Sequence, residues 1–178
     1  MMRTLQADVR YVAADAKLAF PFTRLNLVPE ANSTWLLPRL VGVSRALELL
    51  LSGRSFTGEE AAAMGMVSAA LPRDEVLPAS LRLARDIAVH CAPAAVGVTK
   101  QLVHRSLEEP DRAKACGVET RLSAWAGSLP DTGAVVTAFR SGSEPSFTGA
   151  KHARPPVEID PMTVLGPMPV LGPDPAAG

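Results

Sequence analysis

Residues 8–71 read DVRYVAADAKLAFPFTRLNLVPEANSTWLLPRLVGVSRALELLLSGRSFTGEEAAAMGMVSAAL. The local signals in this stretch decide how the chain is built. Residues 9–13 and 18–20 are short strand candidates, and Ala14-Asp15-Ala16 between them is a turn. Pro21, Pro29, Pro38 and Gly42 break regular structure, so residues 21–43 are expected to be irregular. Residues 44–51 have a helical pattern, and Gly53 is placed to end them. Thr57-Gly-Glu-Glu60 is a capping box: the Thr hydroxyl accepts an orphan backbone N–H and Glu60 reaches back to the cap. The Ala-rich turn after it stops at Gly65, and residues 66–71 are a further strand candidate.

C-terminal to this stretch the periodicity becomes helical. Leu77, Leu81, Ala84, Ala88 and Cys91 step by three and four, which places them on one helix face. Pro93 closes that helix and can open the next at its first turn. The second helix is expected to run to about Leu107 and stop before Pro110. Asp111 is a candidate N-cap for a third helix, with Ala115, Val118, Leu122, Trp125 and Leu129 as its buried face. Asp131 is expected to cap a last short helix through Val135, Val136 and Phe139.

The chain has 178 residues, 47% hydrophobic and 20% charged, which is a globular composition. Its 18 basic and 18 acidic side chains cancel, so no basic excess marks a nucleic-acid partner. No apolar run approaches the ~20 residues of a membrane span. The N-terminus has no apolar core of the signal-peptide kind. Two cysteines, Cys91 and Cys116, make no disulfide framework and fit a reducing, cytoplasmic setting. Residues 155–178 hold seven of the 16 prolines and three acidic side chains, with no Lys or Arg. This segment is expected to be an extended, disordered tail. Residues 1–154 carry 18 basic and 15 acidic side chains, a net +3.

Several stretches, in order, resemble the enoyl-CoA hydratase/isomerase (crotonase) family. ADVRYVAADAKL resembles the family's strand and turn after its oxyanion glycines. LNLVPEANSTWLLPRLVG resembles its active-site loop, and SRALELLLSGRSFTGEEAAAMGMVSAAL its helix, TG turn, second helix and closing strand. VTKQLVHRSL and VVTAFRSGSEPSFTG resemble its C-terminal helices. The resemblance implies an α/β fold: a crotonase-like ββα spiral, incomplete at the N-terminus, followed by a C-terminal helical layer. Residues 1–72 would then be the C-terminal part of the spiral core with the active-site loop. Residues 73–154 would be the helical, trimer-forming region, and 155–178 the Pro-rich tail. Family members are longer at the N-terminus, where two backbone N–H groups form the oxyanion hole. The chain is thus expected to be a fragment, a mis-assigned start or a degenerate member.

The resemblance also implies a chemistry. Hydratases of the family use two carboxylates, one of them directly after the Pro of the loop. This chain has Phe22 there, in FPFTRL, and a phenyl ring relays no proton. Glu30 in LVPEANST is similar in placement to the single Glu of the Δ3,Δ2-enoyl-CoA isomerases. One carboxylate suffices to take a proton from C2 of a 3-enoyl thioester and return it at C4. An apolar surround raises a carboxyl pKa toward working pH, which suits a shuttle. Phe22, Leu25, Leu27 and Trp35 are candidates for that surround and for contact with the acyl chain. Lys151 falls near the family's basic residue for the CoA 3′-phosphate.

Taken without the resemblance, a Glu after Pro in a loop is ordinarily a solvated residue. Trp35 would be core, and Arg24 and Arg39 solvated rather than bound to CoA phosphates. His90, His104 and His152 have no metal-ligand spacing. The expected ligand is an acyl-CoA, with no metal or separate cofactor, in fatty-acid β-oxidation. The expected assembly is a trimer-based homo-oligomer, or a mixed oligomer with a full-length relative. A non-catalytic remnant or assembly subunit is the alternative to the isomerase, and a plain hydratase the second alternative.

Overall fold

The computed structural model describes residues 2–147 and residue 155, apart from the side chains of residues 2 and 3. The chain divides after Ala84 into two compact units. In the first, a helical turn α1 (Met2–Leu5) precedes β1 (Tyr11–Ala13) and β2 (Leu18–Ala19). After one 3-10 turn at Thr23–Leu25 come α2 (Ser33–Val41), α3 (Val43–Ser52), β3 (Ser55–Phe56), α4 (Gly58–Ala63) and β4 (Ala69–Leu71). β1 and β4 pair in parallel, with Tyr11 opposite Ala69 and Ala13 opposite Leu71. Parallel neighbours need a long crossover, which the intervening elements supply. β2 and β3 pair antiparallel, Leu18 opposite Phe56. The Phe20 and Phe56 rings stack beside this ladder, centroids 5.9 Å apart.

Residues 21–43 are not irregular throughout, because α2 forms across Pro38. Its buried residues, Ser33, Leu37 and Val41, recur every four positions and so share one face. Leu37 and Val41 join a core with Phe20, Leu49, Phe56 and Met66. Burial of that face outweighs the local cost of a proline inside a helix. The signals at the ends of α3 and α4 act as expected. Gly53 adopts a left-handed conformation and its N–H bonds the Leu49 carbonyl. Thr23 and Arg24 complete this helix end. The Thr23 hydroxyl donates to the carbonyls of Leu51 at 2.9 Å and Leu50 at 3.2 Å, and Arg24 Nε donates to that of Ser52 at 2.6 Å. Arg24 is therefore a helix cap.

The capping box at α4 is complete: Glu60 N–H donates to Thr57 Oγ1 at 3.1 Å, and Thr57 N–H to Glu60 Oε2 at 2.8 Å. Arg54 bridges Glu60 to Glu48. The Thr57 amide first, and Arg54 second, hold the Glu60 carboxyl below its ordinary pKa. A depressed folded-state pKa stabilises the fold above the ordinary Glu value and ceases to do so as pH falls through the lowered one. Glu60→Gln is therefore expected to lower the melting temperature most near neutral pH, with the gap to wild type closing on acidification. Thr57→Ala is expected to cost about 1 kcal/mol in denaturant unfolding.

α5 (Val76–His90) leads into α6 (Pro93–Ser106), α7 (Arg112–Gly127) and α8 (Pro130–Ser141). On α5 the apolar face read from the sequence is the exposed one. Leu77, Leu81, Ala84, Ala88 and Cys91 are exposed, whereas Val76, Ala79, Leu83 and Ile87 are half-buried. Two apolar stripes run along this helix, and the second is the less exposed. Asp111 caps α7 as expected, accepting from the amides of Ala113 and Lys114. Val118 and Leu122 are buried, with Ala115, Trp125 and Leu129 half-buried on the same face. At α8 the cap is Leu129 with Pro130 at the first helical position; Asp131 lies inside the first turn, buried. Proline's fixed φ suits that first position, and the helix starts two residues earlier than it would with Asp131 as its cap. Phe139 is 88% exposed, and both cysteines are free and exposed. The Pro-rich tail lies outside the described residues except for Pro155.

Candidate active site

The loop carrying Glu30 is held at both ends. At its start Leu25 N–H and Leu27 N–H both donate to the Phe22 carbonyl at 2.9 Å, and Asn26 is left-handed (φ 56°). This closes a tight turn over the end of α3, where Thr23 and Arg24 already bond. At its far end the chain enters α2 through Ala31 (φ 52°) and Asn32 (φ 58°), two left-handed residues in succession. The Ser33 hydroxyl donates to the Glu30 carbonyl at 2.7 Å, and Ser33 N–H donates to the same oxygen at 3.1 Å. Gln6 Nε2 donates to the Ala31 carbonyl at 3.2 Å.

The predicted site residues divide. Glu30 is exposed, on the same loop as Leu25 and Leu27, which are 64% and 56% exposed. Phe22 turns inward and joins the core with Phe20 and Leu37. Trp35, on the first turn of α2, is half-buried, and the Arg39 guanidinium lies 3.8 Å from its ring centroid. The four apolar residues therefore do not close around Glu30 in this chain. The loop runs over the surface, as connecting segments do, and Phe22 gains more by burial than by flanking a solvated carboxylate. Lys151 lies outside the described residues. Ser33 and Gln6 escaped the sequence reading. A hydroxyl three residues after a turn carbonyl is a local signal that could have found Ser33; Gln6 is 25 residues from its partner and leaves none.

Elsewhere, α6, α7 and α8 line a cleft of about 800 Å³, with Val98, Leu102, Leu122 and Val135 and the acidic Glu119 and Asp131 in its walls. None of the predicted site residues among the described residues lines it. Among the described residues no group of three or more His, Cys, Asp or Glu is placed to hold a metal ion. No helix among them is long and apolar enough to cross a membrane.

The profile of the enoyl-CoA hydratase/isomerase family matches residues 2–150. The chain belongs to the enoyl-CoA hydratase/isomerase family. It is 34% identical over 150 residues to the enoyl-CoA hydratase ACTT3 of Alternaria alternata, covering 84% of this chain and 50% of that protein. It is 31% identical to the 1,2-epoxyphenylacetyl-CoA isomerase of Escherichia coli, covering 82% of this chain and 55% of the relative. The crystal structure of a probable enoyl-CoA hydratase/isomerase from Mycobacterium abscessus superposes with a TM-score of 0.81 at 35% identity, covering 84% of this chain and 60% of that one. The chain thus has the crotonase-like fold expected from its sequence. It spans about half the length of the curated relatives it matches. Both hydratases and an isomerase stand among those relatives.

Proposed function

We propose that the chain acts as an enoyl-CoA isomerase, shifting the double bond of a 3-enoyl-CoA to the 2-position in cytoplasmic acyl-CoA metabolism. The observation that carries this reading is a lone carboxylate, Glu30, on a backbone-pinned turn, with the buried Phe22 where the hydratase resemblance calls for a second acid. Glu30 takes the proton from C2, whose C–H electrons enter the thioester dienolate. The same carboxyl then returns a proton at C4, and the double bond comes to rest between C2 and C3. No water is added and no redox partner is needed. One base that serves both carbons is what a 1,3-proton shift requires. The developing charge on the thioester oxygen must be met by hydrogen-bond donors. Free, exposed Cys91 and Cys116 support a reducing compartment.

Incubation of the purified chain with a 3-enoyl-CoA is expected to raise the ultraviolet absorbance of the conjugated thioester. Formation of a 3-hydroxyacyl-CoA from a 2-enoyl-CoA would move the assignment to a hydratase. A second reading, a non-catalytic assembly subunit, is favoured by apolar side chains left exposed on α5 and α8, among them Leu77, Leu81 and Phe139. It expects oligomers, with itself or with a longer relative, in a sizing experiment and no turnover of either thioester.

A further inference from the structure

We infer that Ser33 and Gln6 are positioning residues that hold the backbone of the Glu30 turn and so aim its carboxylate; this rests on the isomerase reading above. Non-glycine residues seldom adopt the left-handed region, and Ala has no side-chain hydrogen bond to compensate for it. Here Ala31 and Asn32 adopt it in succession, immediately after Glu30. Such a backbone persists only where its surroundings hold it. Three consecutive carbonyls are held here. That of Glu30 accepts from the Ser33 hydroxyl and amide, that of Ala31 from Gln6, and that of Asn32 from the Trp35 and Leu36 amides at 3.2 and 3.0 Å.

The two side-chain clamps differ in origin. Ser33 is fully buried, at 0% exposure, on the core-facing side of α2. It therefore ties the turn to the rigid part of the first unit. Gln6 is exposed and reaches across 25 residues of sequence. The Glu30 side chain itself is exposed. What the clamps set is the direction in which its Cα–Cβ bond leaves the chain. A shuttle that must reach C2 and then C4 depends on that direction more than a base acting at one carbon does, because both ends of the transfer must fall within its arc.

The test follows a 3-enoyl-CoA in deuterated water, measuring deuterium uptake at C2 against net isomerisation. Ser33→Ala is expected to lower kcat about 10–100-fold, the cost of a small misplacement. KM is expected to stay within about twofold, since the change touches transfer rather than binding. The ratio of C2 exchange to isomerisation should rise, because a misaimed carboxyl still meets C2 but loses C4. Gln6→Ala should act in the same direction and more weakly. Its exposed position keeps the test valid should Ser33→Ala fail to fold. Backbone hydrogen exchange at residues 31–33 should quicken in both. Unchanged kcat and exchange ratio in both variants, with Glu30→Gln inactive, would overturn the positioning role and leave the isomerase reading intact. A Glu30→Gln variant that still turns over, or an inactive wild type, would overturn the isomerase reading and with it the catalytic role of the clamps. Unaltered backbone exchange would overturn the clamp itself.

Discussion

Glu30→Gln is expected to lower the isomerisation rate by about 10²–10⁴-fold, the usual worth of a positioned general acid–base group, without changing the thermal melt. Gln has nearly the same size and shape as Glu, but an amide neither takes the C2 proton nor returns one at C4. The fold should not register the change. The bonds that shape the turn run to the backbone carbonyl of Glu30, from the Ser33 hydroxyl and amide, not to its side chain. The carboxylate is exposed and buries no charge that a neutral amide would relieve. Steady-state kinetics beside a melting curve check both halves. Full activity in the variant would remove Glu30 from the chemistry. An equal loss of melting temperature and rate would assign it to stability instead.

Gly58→Ala is expected to be the most damaging small substitution in the first unit, costing about 1–3 kcal/mol or preventing folding. A Cβ at residue 58 would lie 2.0 Å from the Ala13 carbonyl oxygen and 2.9 Å from its carbon. Both obstacles are backbone, so no side chain can swing aside. They belong to β1, whose parallel ladder with β4 holds Ala13 in register against Leu71. The next residue, Glu59, donates its N–H to the Ala14 carbonyl at 3.2 Å, so α4 begins hard against the end of β1. Gly133 is the contrast. It sits within α8, where an added Cβ meets nothing within 4 Å. Gly133→Ala is expected to stabilise by roughly 0.5–1 kcal/mol through helix propensity alone. Paired denaturant titrations separate the two cases. A neutral Gly58→Ala would mean that β1 and α4 do not approach as closely as described.

Much of this fold could be read from short-range signals. The Thr57–Glu60 capping box, the Gly53 helix end, the Asp111 cap and the Pro93 start each depend on residues a few positions apart. Their hydrogen bonds close within one turn, so the residues that make them are neighbours in sequence. The order of the stretches that resemble the family, the PEANST loop among them, carried the family assignment and the choice of Glu30. At α2 a long-range contact overruled a local rule. Pro38 argued against a helix, yet α2 forms because Leu37 and Val41 find the core.

By itself, then, the sequence determined which segments turn, cap and stop, which family the chain belongs to, and where its lone loop carboxylate lies. The turns, caps and stops follow from backbone geometry and hydrogen bonding over three to five residues, the family from whole stretches resembling it in order. Only the tertiary structure decided that Phe22 points into the core and that Gly58 must stay bare beside Ala13. It alone brought Gln6 to the Ala31 carbonyl. Each of these is set by a surface far along the chain competing for the same side chain or the same space, and no window of local sequence contains both competitors.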